Sequence, residues 1–313
     1  MNIAVFGLGR VGLPLALCFA EHKQQVTGID INPELIATIR KGEMPFFEED
    51  SKELLKNHIN KSLTVTTQAE EAVAKSDALI LTLGTPVDEH TNPVFSQIEE
   101  VLIHIAPLLK KGQTLILRST VSPGTTEYIK RFIEKKTSFK VGENFFLAFC
   151  PERIAQGLSL QELKEIPTII GTLDKESAKH VEAVFRTFTD KIMHTDAKSA
   201  ELAKLFTNMY RYINFAIANE FMMVADSHDR NIYEILELVN KDYKRGGLRS
   251  PGFSAGPCLF KDGFFLINKI PFTELIAISS RLNESVPVYL IEKLKKHKKL
   301  ETSKVAILGL TFK

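Results

Sequence analysis

A chain of 313 residues has room for about two domains at the usual ~150 residues each, and can bury a core without disulfides or metal. Its 44% hydrophobic and 25% charged residues are ordinary for a globular protein. The 40 basic and 38 acidic side chains leave a formal net charge of +2, which excludes binding of nucleic acid by bulk electrostatics.

Ile3-Ala4-Val5-Phe6 reads as a strand, and Val11 to Ala20 as the helix after it. Gln25-Val26-Thr27-Gly28-Ile29 reads as a second strand ending at Asp30. Pro33 to Arg40 follows as a helix, with Asn32 as N-cap and Pro33 at the first helical position. Further strands are expected at residues 62–66, 78–83, 114–117, 145–149, 168–170 and 191–194, with helices between most of them. That alternation predicts an α/β fold over residues 1–196: a Rossmann-like, doubly wound parallel sheet with helices on both faces.

The texture changes near Asp196. Residues 198–228 contain no Gly or Pro and read as one long helix, apolar around much of its circumference. Such a helix is buried, within the fold or against a second subunit, and a homodimer through it is expected. More helix is expected at 232–239, 259–268 and 273–296, around an irregular stretch at 244–257, so residues 197–300 form an all-helical central domain. The basic run Lys293, Lys295, Lys296, Lys298 and Lys299 reads as a solvated helix end. Lys304-Val305-Ala306-Ile307-Leu308-Gly309-Leu310 repeats the texture of Asn2-Ile3-Ala4-Val5-Phe6-Gly7-Leu8. Residues 301–313 therefore read as the first strand of another nucleotide-binding sheet, whose remainder is not in the chain; one strand cannot form a sheet alone.

Cys18, Cys150 and Cys258 are odd in number and widely spaced, so they make neither a disulfide framework nor a metal-ligand cluster, and they fit a reducing, cytoplasmic compartment. No apolar run reaches the ~18 residues of a membrane span. The apolar start lacks a basic region and is interrupted by Gly7, Gly9, Arg10, Gly12 and Pro14, which argues against a signal peptide.

Gly7-Leu8-Gly9-Arg10-Val11-Gly12 is a G-x-G-x-x-G sequence with a strand before it, a helix after it and an acidic residue ending the next strand. The first glycine permits a tight turn, the second a close approach of pyrophosphate, the third close packing of helix on strand. The pyrophosphate then meets free N–H groups and the positive end of a helix dipole. Asp30 is placed to bind the ribose hydroxyls and to repel a 2′-phosphate, and Ile31 and Asn32 offer no basic group to receive one. The expected cofactor is NAD, with Gly7, Gly9, Arg10, Val11, Gly12 and Asp30 as its contacts.

Five segments, in order, are similar to the UDP-glucose and UDP-N-acetylhexosamine 6-dehydrogenase family: the GLGRVG loop, Ser119-Thr120-Val121-Ser122-Pro123-Gly124-Thr125-Thr126, Pro151-Glu152-Arg153, Lys204 with Asn208, and Gly256-Pro257-Cys258-Leu259-Phe260-Lys261-Asp262. The resemblance covers essentially the whole chain. It implies a four-electron oxidation of the C6 hydroxymethyl of a UDP-hexose to a carboxylate, consuming two NAD. A thiolate adds to the intermediate aldehyde, giving a thiohemiacetal that can lose hydride and become a thioester. Cys258, after Gly256 and Pro257 at the start of a helix, is the candidate thiol; Cys18 and Cys150 read as small buried hydrophobes.

Lys204 and Asn208 are spaced i, i+4 and share a helix face, with Glu201 and Arg211 near the same stripe; the pair can hold an oxyanion. A surface lysine beside an amide is the alternative, but Leu202, Leu205, Phe206 and Met209 place the helix in a core. The resemblance implies that Asp262 and Thr120 position the hydrolytic water, that Glu152 is the general base, that Thr85 and Thr120 line the cofactor, and that Glu152, Arg153, Lys204, Asn208, Arg211, Phe253 and Gly256 contact substrate. Glu34-Leu35 stands where many members carry a basic residue, so one adenosine contact is in doubt. The family's third domain, which binds UDP, is expected to be missing. Ile154-Ala155-Gln156-Gly157 after Pro151-Glu152-Arg153 is nearer to the N-acetylhexosamine branch. Two other readings stay open: a one-step 3-hydroxyacid-type dehydrogenase, which also pairs Lys and Asn on a helix, and a non-catalytic NAD-binding dimer.

Overall fold

The computed structural model describes residues 1–85, 96–254, 259–267 and 273–309. The chain divides into two compact units, Met1–Lys204 and Leu205–Lys313.

In the first unit β1 (Asn2–Phe6) leads through the glycine loop into α1 (Gly12–Glu21) and back to β2 (Gln25–Ile29). Then follow α2 (Pro33–Arg40), α3 (Ser51–His58), β3 (Leu63–Thr66), α4 (Glu70–Lys75), β4 (Ala78–Leu81), α5 (Ser96–Ile105) and β5 (Thr114–Leu117). After α6 (Thr125–Lys136) come β6 (Phe146–Phe149), α7 (Ser159–Glu165), β7 (Thr168–Thr172), α8 (Lys175–Phe185) and β8 (Ile192–Asp196). The eight strands form one sheet in the order β3-β2-β1-β4-β5-β6-β7-β8. The chain reverses direction across the sheet between β1 and β4, which places the carboxyl ends of those strands at the switch point where ligands bind in such sheets.

All four residues of β4, β5 and β6 are buried, because helices cover both faces of the sheet. Alternate residues feed two cores. Ile3, Val5, Ile80, Ile116 and Ala148 pack against α1, while Ala4, Phe6, Leu79, Leu81, Leu115 and Leu147 pack on the opposite side.

The expected doubly wound parallel sheet is present, with one antiparallel pairing in it: β6 and β7, with Phe149 opposite Gly171. An antiparallel neighbour needs no full crossover, and the chain returns from β6 through a turn at Gly157 (φ +95°) and the short α7. At Gly171 an added Cβ would stand 2.4 Å from the Cβ of Ala200, so this glycine lets the next helix start flush against β7.

That helix is α9 (Ala197–Ser227), and the division between the units falls within it. The second unit continues with α10 (Ile232–Asn240), α11 (Leu259–Asp262), α12 (Phe264–Ile267) and α13 (Glu274–His297). Met209, Tyr212 and Leu259 form one small core with Phe215, Leu266 and Ile276 against it; Ala225, Ile232 and Leu236 form another. The single helix expected at 259–268 is broken at Gly263, where an added Cβ would meet Ile276 Cγ2 at 2.9 Å and Met209 Sδ at 3.1 Å. Residue 268 lies outside the described residues. Residues 303–309, expected as a strand, are exposed and carry no regular structure; among the described residues no strand lies beside them to complete a ladder.

Candidate active site

The glycine loop is fixed by backbone space. Gly7 has φ +89°, and a Cβ there would stand 2.9 Å from the carbonyl oxygen of Thr82. A Cβ on Gly12 would fall 1.8 Å from the carbonyl oxygen of Gly7 and 2.4 Å from Thr82 Oγ1, which no side-chain motion can relieve. Gly9 has nothing within 4 Å and leaves its side of the loop open. The Thr82 hydroxyl lies 2.8 Å from the carbonyl oxygen of Phe6 and 2.7 Å from that of Gly7, donating to one at a time. Sequence reasoning missed Thr82, although its position directly after β4, beside β1 in the sheet, was the available signal.

The donor set fits a dinucleotide. α1 begins at Gly12 with Val11 before it, no side-chain cap and no acidic residue in its first turn. By contrast, α2 is capped by Asn32, which accepts from Glu34 N at 2.9 Å. An uncapped helix start favours an anion. Asp30 follows the end of β2; its Oδ2 accepts from Leu8 N at 2.8 Å and its Oδ1 from Asn32 N at 2.9 Å. Each carboxylate oxygen keeps a lone pair for a ribose hydroxyl. Thr85 is buried, and Thr120 is half-buried just beyond β5.

Beyond β6, Glu152 is 7% exposed. Its Oε2 accepts from Arg118 Nε at 2.7 Å and also meets Arg118 Nη2; its Oε1 accepts from the N–H of Arg153 at 2.7 Å and of Ile154 at 2.9 Å. Arg118, 4% exposed, has its guanidinium over the Phe185 ring. To act as a base, Glu152 has to release one of these donors. Its carbonyl oxygen accepts from Lys204 Nζ at 2.5 Å, which brings Lys204 and Glu152 together. Arg118 was not foreseen, because an ion pair with a residue 34 positions away leaves no local pattern. The Arg153 guanidinium turns instead to the carbonyl of Pro167; burial lowers its pKa.

Glu201, 1% exposed, accepts from Gly124 N at 2.6 Å, Thr126 N at 2.8 Å and Thr126 Oγ1 at 2.7 Å. It caps α6, and burial raises its pKa even though the Thr126 hydroxyl and the two N–H groups pull the other way. Glu201 thus has a structural task that its place near the Lys204 stripe did not disclose.

In the second unit Asp262 is fully buried and its Oδ2 accepts from Asn208 Nδ2 at 2.5 Å, joining two predicted site residues that lie 54 positions apart. Lys261 Nζ lies 3.9 Å from Oδ1. Arg211 is exposed and lines a recess of about 430 Å³ with Tyr210, Asn214, Phe215, Arg249 and Ser250. Phe253 is 59% exposed. Asn219, fully buried, clamps the backbone of Gly252 from both sides, accepting from its N–H at 2.9 Å and donating to its carbonyl at 3.0 Å. Cys258 and Gly256 lie outside the described residues. Cys18 and Cys150 are free and buried, and burial pushes both thiols up to about 12, as inert hydrophobes require.

The model of the UDP-glucose/GDP-mannose dehydrogenase family, NAD binding domain, matches residues 1–189, and that of the family's central domain matches residues 198–284. The UDP-N-acetyl-D-mannosamine dehydrogenase of Methanocaldococcus jannaschii is 36% identical over 318 residues, covering 100% of this chain and 72% of its own length. The solved UDP-D-ManNAc dehydrogenase of Pyrococcus horikoshii superposes with a TM-score of 0.90 at 35% identity, over 95% of this chain and 72% of that one. The UDP-N-acetyl-mannosamine dehydrogenase of Staphylococcus aureus does so with a TM-score of 0.83 at 32% identity, over 95% and 70%.

Proposed function

This chain belongs to the UDP-glucose/GDP-mannose dehydrogenase family, and on that premise we propose that it is an NAD-dependent UDP-sugar 6-dehydrogenase acting on a UDP-N-acetylhexosamine, with UDP-N-acetyl-D-mannosamine the leading candidate. The observation that carries the chemistry is the buried Asp262 carboxyl group held by Asn208, because a polar group removed from water needs a reason.

Bound NAD supplies a hydride acceptor for each of the two oxidations. Gly7, Gly9, Gly12 and Val11 shape the loop that receives its pyrophosphate, Arg10 faces that charge, and Asp30 takes the ribose. The thiolate of Cys258 adds to the C6 aldehyde, forming a C–S bond, and the carbonyl oxygen becomes the hydroxyl of a thiohemiacetal. Lys204 and Asn208, one helical turn apart on α9, stabilise negative charge on that oxygen. Oxidation of that thiohemiacetal, its hydride passing to the second NAD and its hydroxyl proton being lost, gives the thioester; Asp262 and Thr120 orient a water toward it, Glu152 takes the water's proton, and the thiolate of Cys258 leaves. Arg153, Arg211, Phe253 and Gly256 bind substrate, with Thr85 and Thr120 beside the cofactor.

Assembly as a homodimer through α9 belongs to the same reading. Phe206, Tyr210, Ile217, Phe221 and Val224 are exposed and recur with helical period along one stripe of α9. Free buried thiols at Cys18 and Cys150 support a reducing, cytoplasmic setting. Among the described residues no helix is long and apolar enough to cross a membrane.

The test is stoichiometry. Incubation with NAD and UDP-N-acetyl-D-mannosamine should yield two NADH per uronate, and Cys258→Ser should stop acid formation. One NADH per substrate, with Cys258→Ser at full rate, would replace this reading with a one-step dehydrogenase; NAD binding without turnover of any UDP-hexose would leave a non-catalytic dimer.

A further inference from the structure

The segment joining α2 to α3 has no part in the chemistry above, yet it is tied at two places. Phe46, half-buried against the core, lies under the guanidinium of Arg10, 5.3 Å from ring centroid to Cζ. Two residues on, Glu48 is 6% exposed and its carboxylate accepts from Gly157 N at 3.0 Å, from Ser159 Oγ at 2.9 Å and from Ser159 N. Glu49 N adds a bond to the carbonyl of Gly157 at 3.1 Å. α7 has no side-chain cap from its own N-cap residue Leu158, so Glu48 supplies from a distant loop the anion that a helix start favours. Glu48 and Phe46 stand two residues apart, so the anchor and the ring belong to one short stretch of chain.

Arg10 is placed against its electrostatic preference. It lies in the turn just before α1, whose positive end repels a cation, and it forms no ion pair with the described residues. The face of Phe46 is its aromatic partner, and such contacts at partly exposed sites are modest. A diphosphate at the start of α1 satisfies the guanidinium and the helix end together. We propose that Phe46 is the positioning residue for Arg10, and Glu48 the anchor for Phe46, so that the cofactor's pyrophosphate meets a guanidinium already aimed at it. This deepens the cofactor reading and rests on it. A side chain held in place loses less rotamer freedom on binding than a free arginine would.

The test uses calorimetry on the intact chain with NAD, ADP-ribose and adenosine as separate probes. Phe46→Leu should weaken NAD and ADP-ribose about two- to fivefold, the size of an exposed cation–π contact, and leave adenosine unchanged. Phe46→Tyr should keep wild-type affinity, because it keeps the aromatic face. In an Arg10→Ala background Phe46→Leu should cost nothing more. Glu48→Gln should weaken NAD in the wild-type background and not in Arg10→Ala. Wild-type affinity in Phe46→Leu overturns the proposal, as does an equal loss in the Arg10→Ala background, which would make the ring a support for the loop alone. If the wild-type chain binds no NAD, the cofactor reading falls and takes this proposal with it; if it binds NAD and Phe46→Leu is indifferent, this proposal falls alone.

Discussion

The glycine loop and the polar residues around Asp262 are built by different means. The loop is shaped by contacts of main chain with main chain: Gly7, Gly12 and the carbonyl of Thr82 leave no room for a side chain. The second unit is shaped by buried polar side chains. Asn208 holds Asp262, Asn219 clamps Gly252 and donates to Asn283 Oδ1 at 3.0 Å, and Asn283 donates to the carbonyl of Tyr212 at 3.0 Å. A backbone constraint excludes nearly every residue type at one position and so writes itself into the sequence as a pattern. A side-chain pair constrains two distant positions weakly, and either one alone looks like an ordinary Asn or Asp.

The difference predicts unequal responses to substitution. The largest belongs to a buried charge that loses its partner. Arg118→Met leaves the Glu152 carboxylate unpaired inside the first unit and should cost about 3–5 kcal/mol in urea unfolding. The double variant Arg118→Met with Glu152→Gln should recover part of that loss. A single-variant cost below about 1 kcal/mol would mean that solvent reaches the pair.

Gly12→Ala comes next. Its Cβ would overlap the carbonyl oxygen of Gly7, so the loop itself must move. The expected cost is at the upper end of the ~1–3 kcal/mol of overpacking, together with loss of NAD binding by calorimetry. Retained NAD affinity would show that the loop yields more easily than its geometry implies.

Asn219→Ala removes the clamp on Gly252 and the bond to Asn283 while leaving the backbone path unblocked. It should cost about 1–3 kcal/mol, felt in the second unit, with NAD affinity unchanged. A fall in NAD affinity would contradict the separation drawn between the two regions.

The smallest effect is a pH dependence. Burial raises the pKa of Glu201 above the ordinary value of 4.5. A raised acid binds more protons folded than unfolded, so its contribution to stability is present below 4.5 and declines as pH rises through the folded value. Glu201→Gln should remove that decline, seen as a flatter melting temperature from weakly acidic pH upward. An unchanged slope would assign the dependence to other groups.

Most of the first unit was legible from the sequence. β5 at 114–117 and α2 at 33–40 fall where the β-branched run and the Asn32-Pro33 cap placed them. The glycine loop was legible for the same local reason, since Gly7 and Gly12 have no room for a side chain. Legibility failed where a partner is remote. Arg118 and Thr82 look like a strand-end arginine and threonine until the sheet brings Glu152 and Gly7 beside them. The helix expected over 259–268 breaks at Gly263, where Met209 and Ile276 press against the chain.

The sequence by itself determined the strand-helix alternation, the glycine loop, the acidic end of β2, and the i, i+4 placing of Lys204 and Asn208. Each depends on neighbours within a few residues, where steric exclusion and helical period act directly. Only the tertiary structure decided that β7 runs antiparallel to β6, that Glu201 caps α6 and Glu48 caps α7, and that Asp262 is buried against Asn208. Those outcomes depend on which surfaces meet, and a buried carboxylate must take its donors from whatever element packing brings within about 3 Å.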